Sequence, residues 1–334
     1  MTDHDSFRFC VAPMLDWTDR HCRYFMRLMT RRARLYTEMI TAPAILFGNR
    51  DLLLKFDASE HPVACQLGGS DPEDLAKAAA IVAQYGYDEI NLNCGCPSER
   101  VQKGAFGACL MLEPKLVAEC FTAIREASGL TTTIKHRIGV DRQDDYGFVQ
   151  NFVGTLYEVG CRAFVVHVRT AFLKGLSPKQ NRDVPPLKPD YAHRLKKDFP
   201  DAIFCINGGI TTLSQAREFL EAGLDGVMVG RAAYHEPWML AQVDELIYGE
   251  EPSTLTRLEL VERMTEYLHR IAPEHENAVR NAARHTMGLM NGLPGARLWR
   301  RVLSDPKAYR EDGPDVLRAA LKAMAVTPEP GEAL

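Results

Sequence analysis

Glu89-Ile90-Asn91-Leu92-Asn93-Cys94-Gly95-Cys96-Pro97-Ser98 is an apolar alternation that runs into a turn carrying two thiols. Ile90 and Leu92 share one face of a half-buried strand, Asn91 and Asn93 share the other, and Gly95 and Pro97 break the pattern into a loop. The stretch therefore reads as a strand that delivers Cys96 to a point just past its C-terminal end. Free cysteine is among the most buried residue types. The two thiols acquire chemical meaning only from what lies beside them.

Strands of the same kind recur on both sides. Upstream lie Phe7 to Met14, closed by Pro13; Leu35 to Met39; and Pro62 to Gly69, ending in Gly-Gly. Downstream lie Thr131 to Gly139, Phe164 to Arg169, Ala202 to Ile210 and Gly226 to Arg231. Helical patterns separate them. The first begins at Thr18 or Asp19, with Phe25, Met26 and Met29 inward and Arg20, Arg23, Arg27, Arg31 and Arg32 outward. Others run from Ser70 or Asp71 to Gly86, from Glu113 to Gly129, from Asp144 to Val159 and from Ser214 to Ala222. Pro43 to Lys55 reads as loop with one helical turn or two. Eight strands alternating with helices and ending mostly in glycine-rich or charged residues predict an α/β fold, a parallel (β/α)8 TIM barrel. An open doubly wound sheet needs about six strands and a glycine fingerprint after the first, which here ends in Pro13 and Met14.

After Gly249-Glu250-Glu251-Pro252-Ser253 the strand pattern stops, and Thr256 to Ile271 and Ala278 to Met290 have helical spacing. Pro252 thus divides a barrel domain, 1–250, from a C-terminal all-α helical domain, 251–334. The 334 residues, 46% hydrophobic and 25% charged, suit a folded protein with a sizeable core and exclude disordered and collagen-like classes. No apolar run reaches the ~18 residues of a membrane span, and Met1 to Ser6 lacks a signal-peptide core, so no membrane association and a cytoplasmic location are expected. Nine scattered cysteines without a CxxC pair suggest neither a disulfide framework nor a metal site. A net charge of −4 argues against unspecific coating of nucleic acid. Charge is uneven, however: Arg280, Arg284, Arg297, Arg300, Arg301, Lys307 and Arg310 crowd a stretch whose only acid is Asp305.

Barrels of this type carry their active sites at the C-terminal ends of the strands. Those ends are Pro13, Met14, Gln66, Asn93, Cys96, Lys135, His167, Arg169, Asn207, Gly208, Gly209, Gly230 and Arg231. Glycine turns after the seventh and eighth strands match the place where such barrels hold a phosphate, with Arg231 adding charge. Lys135 and His167 end otherwise apolar strands. A cation there would stabilise an anionic reduced flavin, and Gln66 and Asn93 supply hydrogen bonds for ring edges. That set describes a flavin mononucleotide (FMN) site. Thr170 to Leu187, with Lys174, Lys179 and Arg182, is a longer excursion than a connection needs.

The segments APML (12–15), TEMI (37–40), QLGG (66–69), NLNCGCP (91–97), KGAFGACLM (103–111), IKHRIG (134–139), VVHVRT (165–170), GLSPKQNRDVPPL (175–187), INGGI (206–210) and VMVGRAAY (227–234) follow one another in order. Together they resemble the tRNA-dihydrouridine synthases, most of all their bacterial A subfamily. The likeness spans Phe7 to Tyr309. It implies a monomeric flavin-dependent barrel with a helical RNA-binding domain that reduces uridine in the tRNA D-loop, at positions 20 and 20a, at the expense of NADPH. It places FMN on Pro13, Met14, Leu15, Gln66, Lys135, His167, Asn207, Gly208, Gly209, Gly230 and Arg231. It makes Cys96 the proton donor and assigns tRNA contacts to Asn93, Lys179, Arg182, Arg297 and Arg300. Cys94 departs from the aliphatic residue expected there, and a packing role is expected of it. The loop from Glu99 to Met111 is expected to act as a lid.

The chemistry calls for this equipment. The C5–C6 bond of uracil is conjugated with the C4 carbonyl, so hydride adds at C6 and an acid must protonate C5. A cysteine thiol, with an ordinary pKa of about 8.5, is mostly protonated at neutral pH and can donate. A target base must leave its stack at a cost of a few kcal/mol, which basic contacts offset. Three alternatives stay open at this point: an FMN barrel acting on a free pyrimidine or enone, like the dihydroorotate dehydrogenases; a flavin-free aldolase barrel in which Lys135 forms a Schiff base; and a non-catalytic tRNA-binding module.

Overall fold

The computed structural model describes residues 5–98, 101–102 and 104–325. Its strands are β1 (Phe9–Val11), β2 (Leu35–Thr41), β3 (Val63–Gly68), β4 (Glu89–Cys94), β5 (Thr131–Arg137), β6 (Ala163–His167), β7 (Ile203–Asn207) and β8 (Gly226–Val229). All pair in parallel, in the order β1-β8-β7-β6-β5-β4-β3-β2. The two ends of that order meet at a bridge between Cys10 and Arg34, where Val11 N–H donates to the Arg34 carbonyl and Arg34 N–H to that of Phe9, each at 2.9 Å. The result is the expected (β/α)8 barrel.

Local chemistry accounts for its helices. Asp71, Asp145 and Thr212 cap the helices Pro72–Gln84, Tyr146–Glu158 and Leu213–Glu221 by accepting from the third backbone N–H beyond. Gly129, at φ 67°, closes Pro114–Ser128. Ala42–Phe47 and Arg50–Leu54 are the helical turns expected after β2. The helix Pro189–Asp198, between β6 and β7, is among those with no counterpart in the sequence expectations. It buries only Ala192 and Leu195, too little apolar surface to show a period, and Pro189 in its first turn is its one local signal.

The expectation that β4 is half-buried is corrected: all six of its residues are buried. Strand alternation gives it two buried faces because the barrel has an interior and an outer ring of helices. Glu89, Asn91 and Asn93 face the interior. Ile90, Leu92 and Cys94 share the outer face, where Cys94, 0% exposed, lies beside Cys120 of the helix Pro114–Ser128. Burial pushes the Cys94 thiol well above its ordinary pKa, as its expected packing role requires.

The described residues form two compact units, one of 5–20 with Arg32–Gly230, the other of His21–Arg31 with 231–325. The spatial boundary therefore falls at Gly230, whereas composition places it at Pro252. Helices over 231–248 carry no strand signal to mark where they belong. The second unit also takes up most of the helix Arg20–Arg27, and this corrects its orientation. Arg23 and Arg27, expected outward, are 4% and 8% exposed. Arg27 donates from Nη1 to the Thr30 carbonyl at 2.7 Å. Tyr24 stacks on Tyr267 with centroids 4.0 Å apart, and His21 Nδ1 lies 2.7 Å from the Tyr267 hydroxyl. The side chain of Asp244 accepts from Thr30 Oγ1 at 2.5 Å and Arg31 N–H at 2.8 Å.

The expected helix Thr256–Ile271 is present as Arg257–Ile271, opened by a Thr256–Glu259 capping box. The helix expected over Ala278–Met290 ends at Ala283 and continues as a 3-10 turn, Arg284–Thr286. Trp299, fully buried, donates its indole N–H to the Thr286 carbonyl at 3.0 Å. Among the described residues no helix is long and apolar enough to cross a membrane.

Candidate active site

The end of β4 is shaped by Asn93. Its side-chain carbonyl accepts from the backbone N–H groups of Gly95 and Cys96, both at 3.0 Å, which bends the chain into an Asx-type turn. Cys96 is half-buried there. Seven of the nine cysteines are buried, and of the two that retain exposure, Cys109 is held by a 3.0 Å hydrogen bond to the Phe106 carbonyl. Cys96 is thus the partly open thiol that stands at a strand's C-terminal end.

Three sets of hydrogen bonds tie this turn to its surroundings. Arg137 donates from Nε to the Gly95 carbonyl at 3.1 Å and from Nη1 to that of Asn181 at 2.9 Å. Gln102 donates from Nε2 to the carbonyls of Pro97 and Leu173, each at 2.7 Å. Ala108 N–H donates to the Cys96 carbonyl at 2.9 Å. The thiol turn is therefore stapled to the Thr170 to Leu187 excursion, whose hub is the buried Asn181; its side chain receives Phe172 N–H at 2.7 Å and donates to the Phe172 carbonyl at 2.9 Å. Of the expected lid, Glu99, Arg100 and Lys103 lie outside the described residues.

Positive charge gathers beside the turn. Lys135 pairs in register with Asn93 and donates from Nζ to Asn207 Oδ1 at 3.2 Å. Burial, then the charge of Arg137, lowers its pKa to about 7. Burial lowers Arg137 to about 10, with Arg182 and Arg169 adding to the shift and Cys96 opposing it. His167 falls well below the ordinary histidine value through burial and then the charges of Arg137, Lys135, Arg169 and Arg182. Crowded cations that depress one another describe a mouth built to receive an anion.

Bare backbone completes it. Gly208 and Gly209 have φ of 118° and 75°, values that side-chain-bearing residues rarely adopt. A Cβ on Gly208 would stand 2.8 Å from His167 Cδ2, and one on Gly209 2.7 Å from Leu187 Cδ1. Side chains at this pair would be strained by the backbone conformation and crowded, at Gly208 by the buried His167 ring, so glycine leaves the backbone bare beside the cation cluster. Asn207 anchors the same strand end by donating from Nδ2 to the Met228 carbonyl at 2.8 Å. Gly230, after β8, lies against Met14, whose sulfur is 3.6 Å from where its Cβ would be. Pro13 and Met14 are half-buried and Leu15 is 64% exposed.

The structure thus brings together Gln66, Asn93, Cys96, Lys135, His167, Asn207, Gly208 and Gly209. Gln66 Oε1 accepts from Asn93 Nδ2 at 2.9 Å. Arg182, exposed on the excursion, is near enough to lower both Arg137 and His167, and Lys179 is exposed beside it. Arg231 opens the first helix of the second unit. Arg297 and Arg300 belong to that unit and lie exposed on the helix Ala296–Ser304, opposite the buried Trp299 and Leu303. Arg301, Lys307, Arg310 and Arg280 are exposed in the same unit. Sequence reasoning missed Arg137, Gln102 and Asn181. Arg137 stands in the IKHRIG segment, but its role depends on a carbonyl 42 positions away.

Lys135 offers a direct measurement. Its side chain is partly open to solvent, so competitive acylation of the cofactor-free protein, read by peptide mass spectrometry, should give it a titration midpoint of about 7. Affinity for an anion at this spot should accordingly fall as pH rises through that midpoint. A midpoint near ~10.4, as for an ordinary lysine, would show that its surroundings do not depress Lys135 and would overturn this pH dependence.

A parallel barrel whose strand ends collect a thiol turn, a cation cluster and an open glycine backbone belongs to the barrel enzymes that work on bound anionic groups at that face. Comparison narrows the class. The family described as dihydrouridine synthase matches residues 10–325, and the chain belongs to that family. It is 50% identical over 316 residues to the tRNA-dihydrouridine(20/20a) synthase of Shewanella oneidensis, covering 95% of this chain and 93% of that one. Proteins of the same name from Pseudomonas aeruginosa, 49% identical with 96% of each chain covered, and from Synechocystis, 50% identical with 94% and 93% covered, are equally similar.

Proposed function

We propose that this protein reduces the C5–C6 double bond of uridine in the tRNA D-loop to 5,6-dihydrouridine, at positions 20 and 20a. The observation that carries the reading is the Cys96 turn beside the Lys135–Arg137–His167 cluster, in a chain about 50% identical to curated tRNA-dihydrouridine(20/20a) synthases over nearly its whole length. The same residues fit FMN. Lys135 is a half-buried cation whose depressed pKa an anionic partner would relieve, and Gly208–Gly209 is a backbone surface without side chains. Pro13, Met14, Leu15, Gln66, Lys135, His167, Asn207, Gly208, Gly209, Gly230 and Arg231 would hold it. When bound, reduced FMN supplies the hydride for uracil C6 and is restored by NADPH.

The chain's own residues do the rest. Cys96 gives its thiol proton to C5. Asn93 commits its carbonyl to the turn and one amide hydrogen to Gln66, leaving the second amide hydrogen for a carbonyl of the base. Lys179 and Arg182 take RNA phosphates beside the mouth, and Arg297 and Arg300 take others from the helical domain, 251–334, while 1–250 is the catalytic domain. The protein acts as a cytoplasmic monomer on this reading.

The test is chemical. Reconstituted with FMN and given NADPH, the purified protein should convert unmodified tRNA to a product with dihydrouridine at positions 20 and 20a, mapped by nuclease digestion and mass spectrometry. Absence of flavin absorption after reconstitution, or reduction of free uridine as fast as tRNA, overturns it.

A further inference from the structure

The inner face of β4 carries three polar side chains in succession, Glu89, Asn91 and Asn93, with exposures of 0%, 0% and 8%. They belong to a hydrogen-bonded ladder that climbs the barrel interior. At its foot the Glu89 carboxylate accepts from Arg34 Nη1 at 2.9 Å, from the Tyr36 hydroxyl at 3.1 Å and from the Thr133 hydroxyl. With its proton committed to Glu89, Thr133 Oγ1 accepts from Asn91 Nδ2 at 2.7 Å. Asn91 therefore turns its oxygen the other way, where it accepts from Gln66 Nε2 at 2.7 Å. Gln66 in turn presents its oxygen to Asn93 Nδ2 at 2.9 Å, and the oxygen of Asn93 faces the N–H groups of Gly95 and Cys96.

An amide side chain can exchange its oxygen and NH2 group by half a rotation, so a chain of amides has two possible polarities. Only one polarity serves the Cys96 turn. In the reversed chain Asn93 would aim NH2 at two backbone donors and the turn would lose its acceptor. The carboxylate decides between them: burial raises its pKa, but the Arg34 guanidinium at 2.9 Å and the hydroxyls of Tyr36 and Thr133 all donate to it and favour the ionised form, which can only accept. A buried ion pair is a poor source of stability compared with apolar filling, and the barrel interior otherwise holds an apolar cluster that includes Phe7, Cys10 and Met228. The pair's value lies in the direction it imposes on the groups above it.

We propose that Glu89, Thr133 and Asn91 are positioning residues that fix the amide polarity of Gln66 and Asn93 and thereby seat the Cys96 turn. The catalytic consequence rests on the reading of Cys96 as proton donor.

Thr133→Val tests this, since it removes the hydroxyl while nearly keeping the shape. In the full-length cofactor-free protein, amide hydrogen exchange at Gly95 and Cys96 should quicken by about tenfold, the scale of one lost hydrogen bond. In the reconstituted enzyme kcat on tRNA should fall about tenfold with KM changed by less than about twofold, the pattern of a lost transition-state group rather than lost binding. Thr133→Ser should restore both. Asn91→Leu, which removes the ladder's middle rung, should reproduce both effects if Thr133→Val fails to fold. Unchanged exchange at Gly95 and Cys96 overturns the ladder. Faster exchange with unchanged kcat overturns its catalytic role. Full activity of Cys96→Ala would instead remove the proton-donor reading, while the exchange measurement still judges the ladder.

Discussion

Cys96→Ala should lower dihydrouridine formation on tRNA by about two to three orders of magnitude, within the range a positioned general acid contributes. The substitution removes the one proton source that the turn of Asn93 presents at the end of β4. Reduction of the bound flavin by NADPH should proceed at its original rate, because that step needs no proton for uracil C5. The two half-reactions therefore separate: stopped-flow measurement of flavin reduction is unaffected, and reoxidation by tRNA becomes slow. Cys96→Ser should be intermediate at most, since a hydroxyl occupies the position but is a far weaker acid. Cys109→Ala is the control, as Cys109 keeps some exposure but is bonded to the Phe106 carbonyl at 3.0 Å. Equal reoxidation rates in the original enzyme and Cys96→Ala would refute the assignment.

The barrel was legible because its signals are local. Eight apolar runs, most with glycine or charge at their exits, mark the strands, and Asp71 and Gly129 act where the sequence places them. Signals fail where packing decides. Arg23 and Arg27 look like solvent residues, yet their helix is covered on the side where Tyr24 meets Tyr267. The helix Pro189–Asp198 escapes because Lys188, Arg194, Lys196 and Lys197 swamp its two buried positions. The site divides in the same way. Residues at strand ends can be named from strand exits alone, whereas the bonds that staple the Cys96 turn to its surroundings run from Arg137 on β5 and from Gln102 to backbone carbonyls of the turn and of the Thr170 to Leu187 excursion, which no sequence pattern marks. Glu89 illustrates the limit most sharply. It opens the β4 stretch on the same face as Asn91 and Asn93, but its meaning depends on Arg34, 55 positions earlier.

Arg297→Ala with Arg300→Ala should weaken tRNA binding on the order of a hundredfold, taking about tenfold for each charge-assisted hydrogen bond removed. Both side chains stand exposed on one helix whose other face is pinned by the buried Trp299 and its 3.0 Å hydrogen bond to Thr286. Fold should therefore survive their removal, although Arg300 gives up its 2.6 Å hydrogen bond to Asn291 Oδ1. Counterion release supplies the sharper criterion. Each phosphate neutralised contributes a slope of about −0.9 for duplex and −0.7 for single strands in the logarithmic dependence of affinity on salt, so removing two cations should flatten it by about 1.4 to 1.8. Bound flavin and its reduction by NADPH should be unchanged, since neither arginine is placed at the cofactor. Filter-binding or fluorescence titrations across a salt series read affinity and slope together. A variant that binds tRNA with the original slope would take this helix out of the RNA interface and leave substrate capture to Lys179, Arg182 and the barrel mouth. A flattened slope with kcat preserved at saturating tRNA would show that the basic helix recruits RNA without touching the reacting base.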